Sequence, residues 1–354
     1  MTKAELDNRK ILPLEDSWYR RVKEKLDGIA KPLDGLGKFE HLIAQIGAIE
    51  KTTKISIQKK AVLVMCADNG VVEEQVSQSG KEVTLAVAKA MGVNNSSVGK
   101  MAAVAGVDVI PVDIGIDTDE VIPGVLPRKV AKGTKNFAKE PAMTEEEVLK
   151  AIETGIQLVQ QCHREGYEIL ATGEMGIGNT TTSTAVAAAL LDLEVEQVTG
   201  KGAGLTDEAL KRKCRVIEEA IEKYSLREAD AFTILKTVGG LDIAGLTGVF
   251  IGAAIEQIPV VIDGVISAVA ALLAETLCKG AVNYMIPSHK SRELAETAIM
   301  KKLHLDPVLD ADMALGEGTG AVMMMSLLDV ALGVYLQGAS FANFEIEQYK
   351  RYEE

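Results

Sequence analysis

The chain has 354 residues, enough for about two domains or for one large α/β domain with an appendage. A formal charge of −13 argues against a nucleic-acid binder, which needs a basic footprint, but leaves room for a local site that takes a small anion. Nearly half the residues (47%) are apolar and only 4% are aromatic, so Ala, Val, Ile, Leu, Gly and Met must fill the core, as where helices pack on a parallel sheet.

Residues 1 to about 55 read as polar helices. Trp18, Val22 and Leu26 share one face, as do Leu36, Phe39, Ile43 and Ile46, and Lys31-Pro32-Leu33-Asp34-Gly35 forms the turn between them. From about residue 60, short β-rich runs alternate with long helical ones. The candidate strands are 61–67, 107–113, 168–172, 259–263 and 282–286, each bounded by Gly, Pro, Asp or Ser and none with clean polar alternation. Strands buried on both faces and separated by helices predict a parallel sheet with right-handed crossovers. The stretch 117–143 has little periodicity and predicts a long excursion. Thr144 and Glu147 have capping-box spacing ahead of Val148, Ile152, Ile156 and Val159. Thr206-Asp207-Glu208 opens another helix. Residues 243–255 and 265–277 are apolar nearly all round and predict buried central helices, and 321–340 a last long apolar one.

The four cysteines (Cys66, Cys162, Cys214, Cys278) and four histidines (His41, His163, His289, His304) are scattered singly, so no zinc site or redox dithiol is signalled and no protein-held metal is expected. Met1 to Lys10 is charged and lacks the apolar centre of a signal peptide. The uncharged apolar run 243–255 falls short of the roughly 20 residues that span a bilayer. These features predict a cytoplasmic protein with no membrane partner.

Polar residues collect at the strand ends: Asp68-Asn69-Gly70, Asp113-Ile114-Gly115, Gly173-Glu174-Met175-Gly176-Ile177-Gly178-Asn179-Thr180-Thr181, Asp263-Gly264 and Ser288-His289. In an open parallel sheet these ends lie along one edge, where ligands bind. The third motif suits an anion at a helix N-terminus, or else a tight turn capped by Asn179. It is neither a Walker A loop nor a good dinucleotide fingerprint, because Thr181 stands where the third glycine belongs, which weakens an oxidoreductase reading. Lys213 lies on the apolar stripe of its helix, between Leu210 and Ile217, so it either snorkels out or meets an anion. Lys201-Gly202-Ala203-Gly204 is a second loop where backbone can approach a ligand. Asp68, Asp113 and Asp263 read as ribose-hydroxyl acceptors or as helix caps, and Ser291 as a phosphate donor or a cap. His289 alone reads as structural. Finally, Leu315-Gly316-Glu317-Gly318-Thr319-Gly320 sets one carboxylate between glycines at the mouth of the last helix, where it either accepts a proton from a substrate or marks a plain turn.

Taken in order, these motifs, together with Leu36-Gly37-Lys38, Glu82-Val83-Thr84, Gly239-Gly240 and Ser288-His289-Lys290-Ser291, resemble the nicotinate-nucleotide–dimethylbenzimidazole phosphoribosyltransferases of cobamide lower-ligand synthesis, over most of the chain. The resemblance implies a Rossmann-like α/β domain with helices on both faces (59–338), a small helical domain from the chain ends (1–58 and 339–354) and a homodimer. It implies transfer of ribose 5-phosphate from nicotinate mononucleotide to an azole base, with no cofactor and no metal, because a neutral pyridine leaves rather than pyrophosphate. It assigns the general base to Glu317 and a second site carboxylate to Glu174, as charge stabiliser or alternative base. It assigns phosphate and ribose binding to Gly176, Gly178, Asn179, Thr180, Thr181, Gly202, Lys213, Asp263, Gly264 and Ser291. The acceptor pocket falls to Ser77, Ser79, Met175 and Leu315. Asn69 stands where the family often has His, Asp242 replaces a common Glu, and the stretch 76–80 lacks a Tyr-Pro pattern, so the choice of acceptor base stays open.

Overall fold

The computed structural model describes residues 1–202 and 204–351. Six strands, β1 (Lys60–Ala67), β2 (Val107–Gly115), β3 (Leu126–Pro127), β4 (Ile169–Met175), β5 (Val260–Ile262) and β6 (Met285–Pro287), form one sheet in the order β3-β2-β1-β4-β5-β6. All neighbours run parallel, as the alternation of strands and helices predicts. The order reverses direction between β1 and β4, and in such sheets ligands bind near the C-terminal ends of the strands.

The eleven longer helices are α1 (Asp16–Asp27), α2 (Lys38–Ile49), α3 (Glu82–Gly92), α4 (Ser97–Ala105), α5 (Glu145–Arg164), α6 (Asn179–Leu191), α7 (Asp207–Lys223), α8 (Leu241–Glu256), α9 (Val265–Leu277), α10 (Leu294–Leu303) and α11 (Thr319–Gln337). They cover both faces of the sheet. In β1 the alternation of side chains divides them between two cores. Ala61, Leu63, Met65 and Ala67 pack with α5, α6, α8 and α9, while Val62, Val64 and Cys66 pack with α1 to α4 and α11. All eight β1 residues are buried, which explains the absence of polar alternation in the sequence. The expected helix starts are present: Thr144 accepts the Glu147 N–H in a capping box, and Thr206 accepts the Ala209 N–H. Helix α11 is long and apolar enough to cross a membrane by composition, but it lies against α4 and β4 with over half of its span buried, as a core helix does.

Three expectations need correction. Residues 281–284 form a 3-10 turn rather than strand, because Gly280 (φ +99°) turns the chain and extended backbone resumes only at Met285. The strand expected over 168–172 runs on to Met175, so Glu174 is a strand residue and not part of the glycine turn. The stretch 117–143 holds the short strand β3, which its proline disguises, and then crosses the end of β1, where the Thr134 N–H donates to the Asp68 carbonyl at 3.1 Å.

The chain ends meet: the Ala30 N–H donates to the Ala339 carbonyl at 2.8 Å, and Arg351 forks onto Asp27 and Asp34. With Lys23 and Lys31 at Glu40, these cations neutralise the acids Asp27, Asp34 and Glu40, so that acidic group is an ion-pair network.

Candidate active site

A cavity of about 230 Å³ opens over the ends of β4 and β5. Its walls include Glu174, Met175, Gly176, Asn179, Thr180, Gly202, Asp263, Gly264, Ser291, Leu315 and Glu317. An adjoining cavity of about 80 Å³ shares Gly176, Asn179, Thr180 and Gly202 with it and adds Ser77 and Gly178. Residues distant in sequence and expected to act together therefore line connected space. Ser79, Thr181 and Lys213 line neither cavity. Thr181 is fully buried with its hydroxyl unpartnered, and the Ser79 N–H donates to Ser77 Oγ at 3.3 Å. Ala203 lies outside the described residues.

Glu317 is held by backbone conformation. Gly316 (φ +80°), Glu317 (φ +61°) and Gly318 (φ +91°) are three left-handed residues in succession, a path that glycine takes without strain and glutamate seldom takes. Asp263, at the end of β5, fixes this turn from outside: its Oδ2 accepts the Gly318 N–H at 3.2 Å and its Oδ1 the Ala321 N–H at 3.0 Å. Asp263 is thus a cap, but of α11, a helix remote in sequence, and the turn it secures aims Glu317 at the cavity. Glu317 Oε2 accepts the Val98 N–H at 3.0 Å, in the first turn of α4, where free amides attract negative charge.

Glu174 sits in a different electrostatic setting. It is buried and shares Asn179 with Asp242: the Asn179 Nδ2 amide donates to Glu174 Oε2 and, at 3.1 Å, to Asp242 Oδ2. The expected role of Asn179 as N-cap therefore falls to Gly178 (φ +92°), and Asn179 spends its side chain binding two acids. Burial first, then the charges of Asp242, Asp263 and Glu317, push Glu174 up to about 8. Burial likewise raises Asp242 to about 6. Burial thus favours the protonated form of Glu174, in which it can donate a hydrogen bond.

The corner expected to take an anion is built from the loops after β4 and before α7. Lys213 on α7 is fully buried, and its Nζ donates to Thr180 Oγ1 at 3.0 Å and to the Gly200 carbonyl at 3.2 Å. It does not snorkel. Burial lowers its pKa, and no carboxylate lies within ion-pair distance of it among the described residues. Thr84 Oγ1 on α3 accepts the Ile177 N–H at 3.1 Å and anchors the glycine loop. Gly176 is needed there because a Cβ would lie 2.4 Å from the Ala67 carbonyl oxygen. Ser291 Oγ accepts the Glu293 N–H at 3.2 Å ahead of α10, which leaves its hydroxyl hydrogen free to donate into the cavity.

Sequence reasoning missed three participants. Glu293 lines the cavity, and its only signal was its place after the Ser288-His289-Lys290-Ser291 motif. His289, read as structural, also lines it while its Nδ1 lies 2.9 Å from Ser288 Oγ. The Val98 amide carried no signal at all.

A phosphoribosyltransferase family model matches residues 11–346. The chain belongs to that phosphoribosyltransferase family. It is 43% identical to the nicotinate-nucleotide–dimethylbenzimidazole phosphoribosyltransferase of Clostridium acetobutylicum over 95% of this chain and 96% of that protein. It is 45% identical to the protein of the same name from Acetivibrio thermocellus, over 93% and 94%. The crystal structure of CobT from Thermus thermophilus superposes with a TM-score of 0.89 at 34% identity, covering 94% of this phosphoribosyltransferase and all of that chain.

Proposed function

We propose that the chain transfers ribose 5-phosphate from nicotinate mononucleotide to a ring nitrogen of 5,6-dimethylbenzimidazole or a related azole, giving α-ribazole 5′-phosphate and nicotinate in cobamide lower-ligand synthesis. The observation that carries this reading is the shared cavity: Glu317 and the corner formed by Thr180 and Gly202, with Lys213 behind it, face one space. The near full-length likeness to relatives of that name supports it.

The chemistry needs few groups. The C1′–nitrogen bond to the pyridinium breaks with its electron pair going to nicotinate, whose ring nitrogen leaves neutral. The azole's unprotonated nitrogen attacks C1′ from the opposite face, which inverts β to α. Its other nitrogen must then lose a proton, and Glu317 takes it. Such a base contributes about a hundredfold or more, while holding the reactants in line contributes the larger share. Glu174, protonated, donates a hydrogen bond within the site. The Gly176–Thr180 turn, Gly202, Lys213 and Ser291 hold the phosphate, with Gly264 beside the ribose. Met175, Leu315 and Ser77 flank the acceptor.

The division into 59–338 and a small helical unit from 1–58 and 339–354 belongs to the same proposal, supported by the contact between Ala30 and Ala339; residues 352–354 lie outside the described ones. So does a homodimer. Met323, Val330 and Val334 form an exposed apolar stripe on α11, the kind of face that a second copy covers. Four unpaired cysteines support a reducing, cytoplasmic setting.

The deciding experiment mixes purified protein with nicotinate mononucleotide and a panel of azoles and follows nicotinate release. Release that depends on the azole is expected. No release with any azole would reject the transferase.

A further inference from the structure

The carboxylate of Glu293 already occupies the corner assigned to the donor's phosphate. Its Oε1 accepts the Gly202 N–H at 3.1 Å, and its Oε2 lies so close to Gly200 that an added Cβ would meet it at 2.0 Å. Lys213 reaches the same corner from behind, through Thr180 Oγ1 and the Gly200 carbonyl. A Cβ on Gly202 would lie 3.1 Å from that hydroxyl and 3.8 Å from the Lys213 ammonium, so the three donors converge. Of the carboxylates, Glu293 is the one whose field favours the buried ammonium. The free protein thus satisfies its anion site with an anion of its own. A phosphate dianion and a carboxylate cannot share these donors, because like charges at contact repel strongly where water is scarce.

We infer that Glu293 is a built-in competitor for the donor's phosphate, holding the Gly202 side of the corner in the free enzyme and withdrawing when phosphate takes those donors. The inference rests on the phosphoribosyl-transfer reading above. The carboxylate can swing away by side-chain rotation while Ser291 stays at the corner, since Ser291 Oγ accepts the backbone Glu293 N–H at 3.2 Å in the turn before α10. The device has a use. Substrate and product bear the same 5′-phosphate, so a corner that gripped it without competition would keep the product. A resident carboxylate weakens the hold on both and offers the leaving phosphate an immediate replacement.

The test is calorimetric titration of inorganic phosphate, then of nicotinate mononucleotide, into the wild type, Glu293→Gln and Glu293→Ala, with each fold checked by thermal unfolding. Glutamine keeps the shape and removes the charge, whereas alanine removes both. Dissociation constants for both ligands should fall about tenfold in either variant, the equivalent of one like-charge contact at a partly exposed site. A residue that merely braces the Gly202 loop predicts the reverse. Affinity that is unchanged or weaker in both variants, or undetectable in all three proteins, would overturn the inference. The transferase reading fails separately: phosphate binding that tightens on substitution, with no nicotinate released by the wild type for any azole, would keep the competitor and reject the reaction.

Discussion

Gly173 and Glu317 touch backbone to backbone. A Cβ on Gly173 would lie 2.6 Å from the carbonyl oxygen of Glu317, so β4 needs a glycine to let the turn that carries Glu317 settle against it. Gly173→Ala should push Glu317 away from its position and lower kcat about tenfold or more, because small misplacements of a catalytic group are costly. The proposed phosphate corner at Thr180 and Gly202 does not include Gly173, so the dissociation constant of phosphate should stay within about twofold. Steady-state kinetics and calorimetry on one preparation read both, and an unchanged kcat would mean that the turn is not held from this side.

Glu317→Gln keeps an oxygen for the Val98 N–H but cannot take a proton. Turnover should fall about a hundredfold or more while the dissociation constant of nicotinate mononucleotide changes little. Equal loss of both would reassign Glu317 to a structural role.

For Glu174 the sign of the pH dependence follows from its raised pKa. Its folded value is about 8 against 4.5 when unfolded, so between these the native state binds the extra proton and stability falls as pH rises through the window. Glu174→Gln removes the titration. The stability gap in favour of the variant should widen from pH 5 to pH 8 and then level off. Thermal unfolding across that range checks it, and a constant gap would show that Glu174 ionises freely.

Lys213 titrates in the opposite sense. Burial lowers its folded pKa below 10.5, so the native state binds fewer protons above the lowered value and stability rises with pH up to the unfolded one. Lys213→Met keeps the volume and removes the buried charge, and should raise the unfolding temperature of the unliganded protein near neutral pH. The same variant should bind nicotinate mononucleotide about tenfold to a hundredfold more weakly, the range of one charged hydrogen bond. Tight binding by the variant would place the ammonium away from the phosphate.

Val330 is 73% exposed in the middle of the apolar stripe on α11. Val330→Glu should shift the protein from dimer to monomer in sedimentation velocity without loss of helical signal. A wild type that sediments as a monomer would dismiss the dimer.

What the sequence revealed followed the range of the interaction involved. Glu317 was legible because its glycine neighbours record a local backbone demand, and Thr144 and Thr206 because caps act within three residues. The strands were legible as apolar runs, apart from the two residues of β3, where proline hides a strand that its partner β2 imposes. Lys213 could be placed on a buried stripe, but its partners, Thr180 and Gly200, come from another part of the chain. The raised pKa of Glu174 was beyond reach for the same reason: it depends on burial first and then on Asp242 and Asp263, all of which only folding supplies. Asn179 looked like a cap because Asn usually is one, and tertiary acids claimed its side chain instead.

The two-sided burial of β1 bears on how the sheet finds its alignment. Sliding β1 by one residue would exchange the tenants of the two cores, and since both sets are apolar, solvent aversion alone penalises the slip weakly. The burden passes to polar pins at either end: Lys60 Nζ, 2.8 Å from Asp329 Oδ2, and Asp68 Oδ2, 2.8 Å from the Asp117 amide. Loosening these pins should admit misaligned sheets, and with them a population of molecules in which the catalytic rim never assembles.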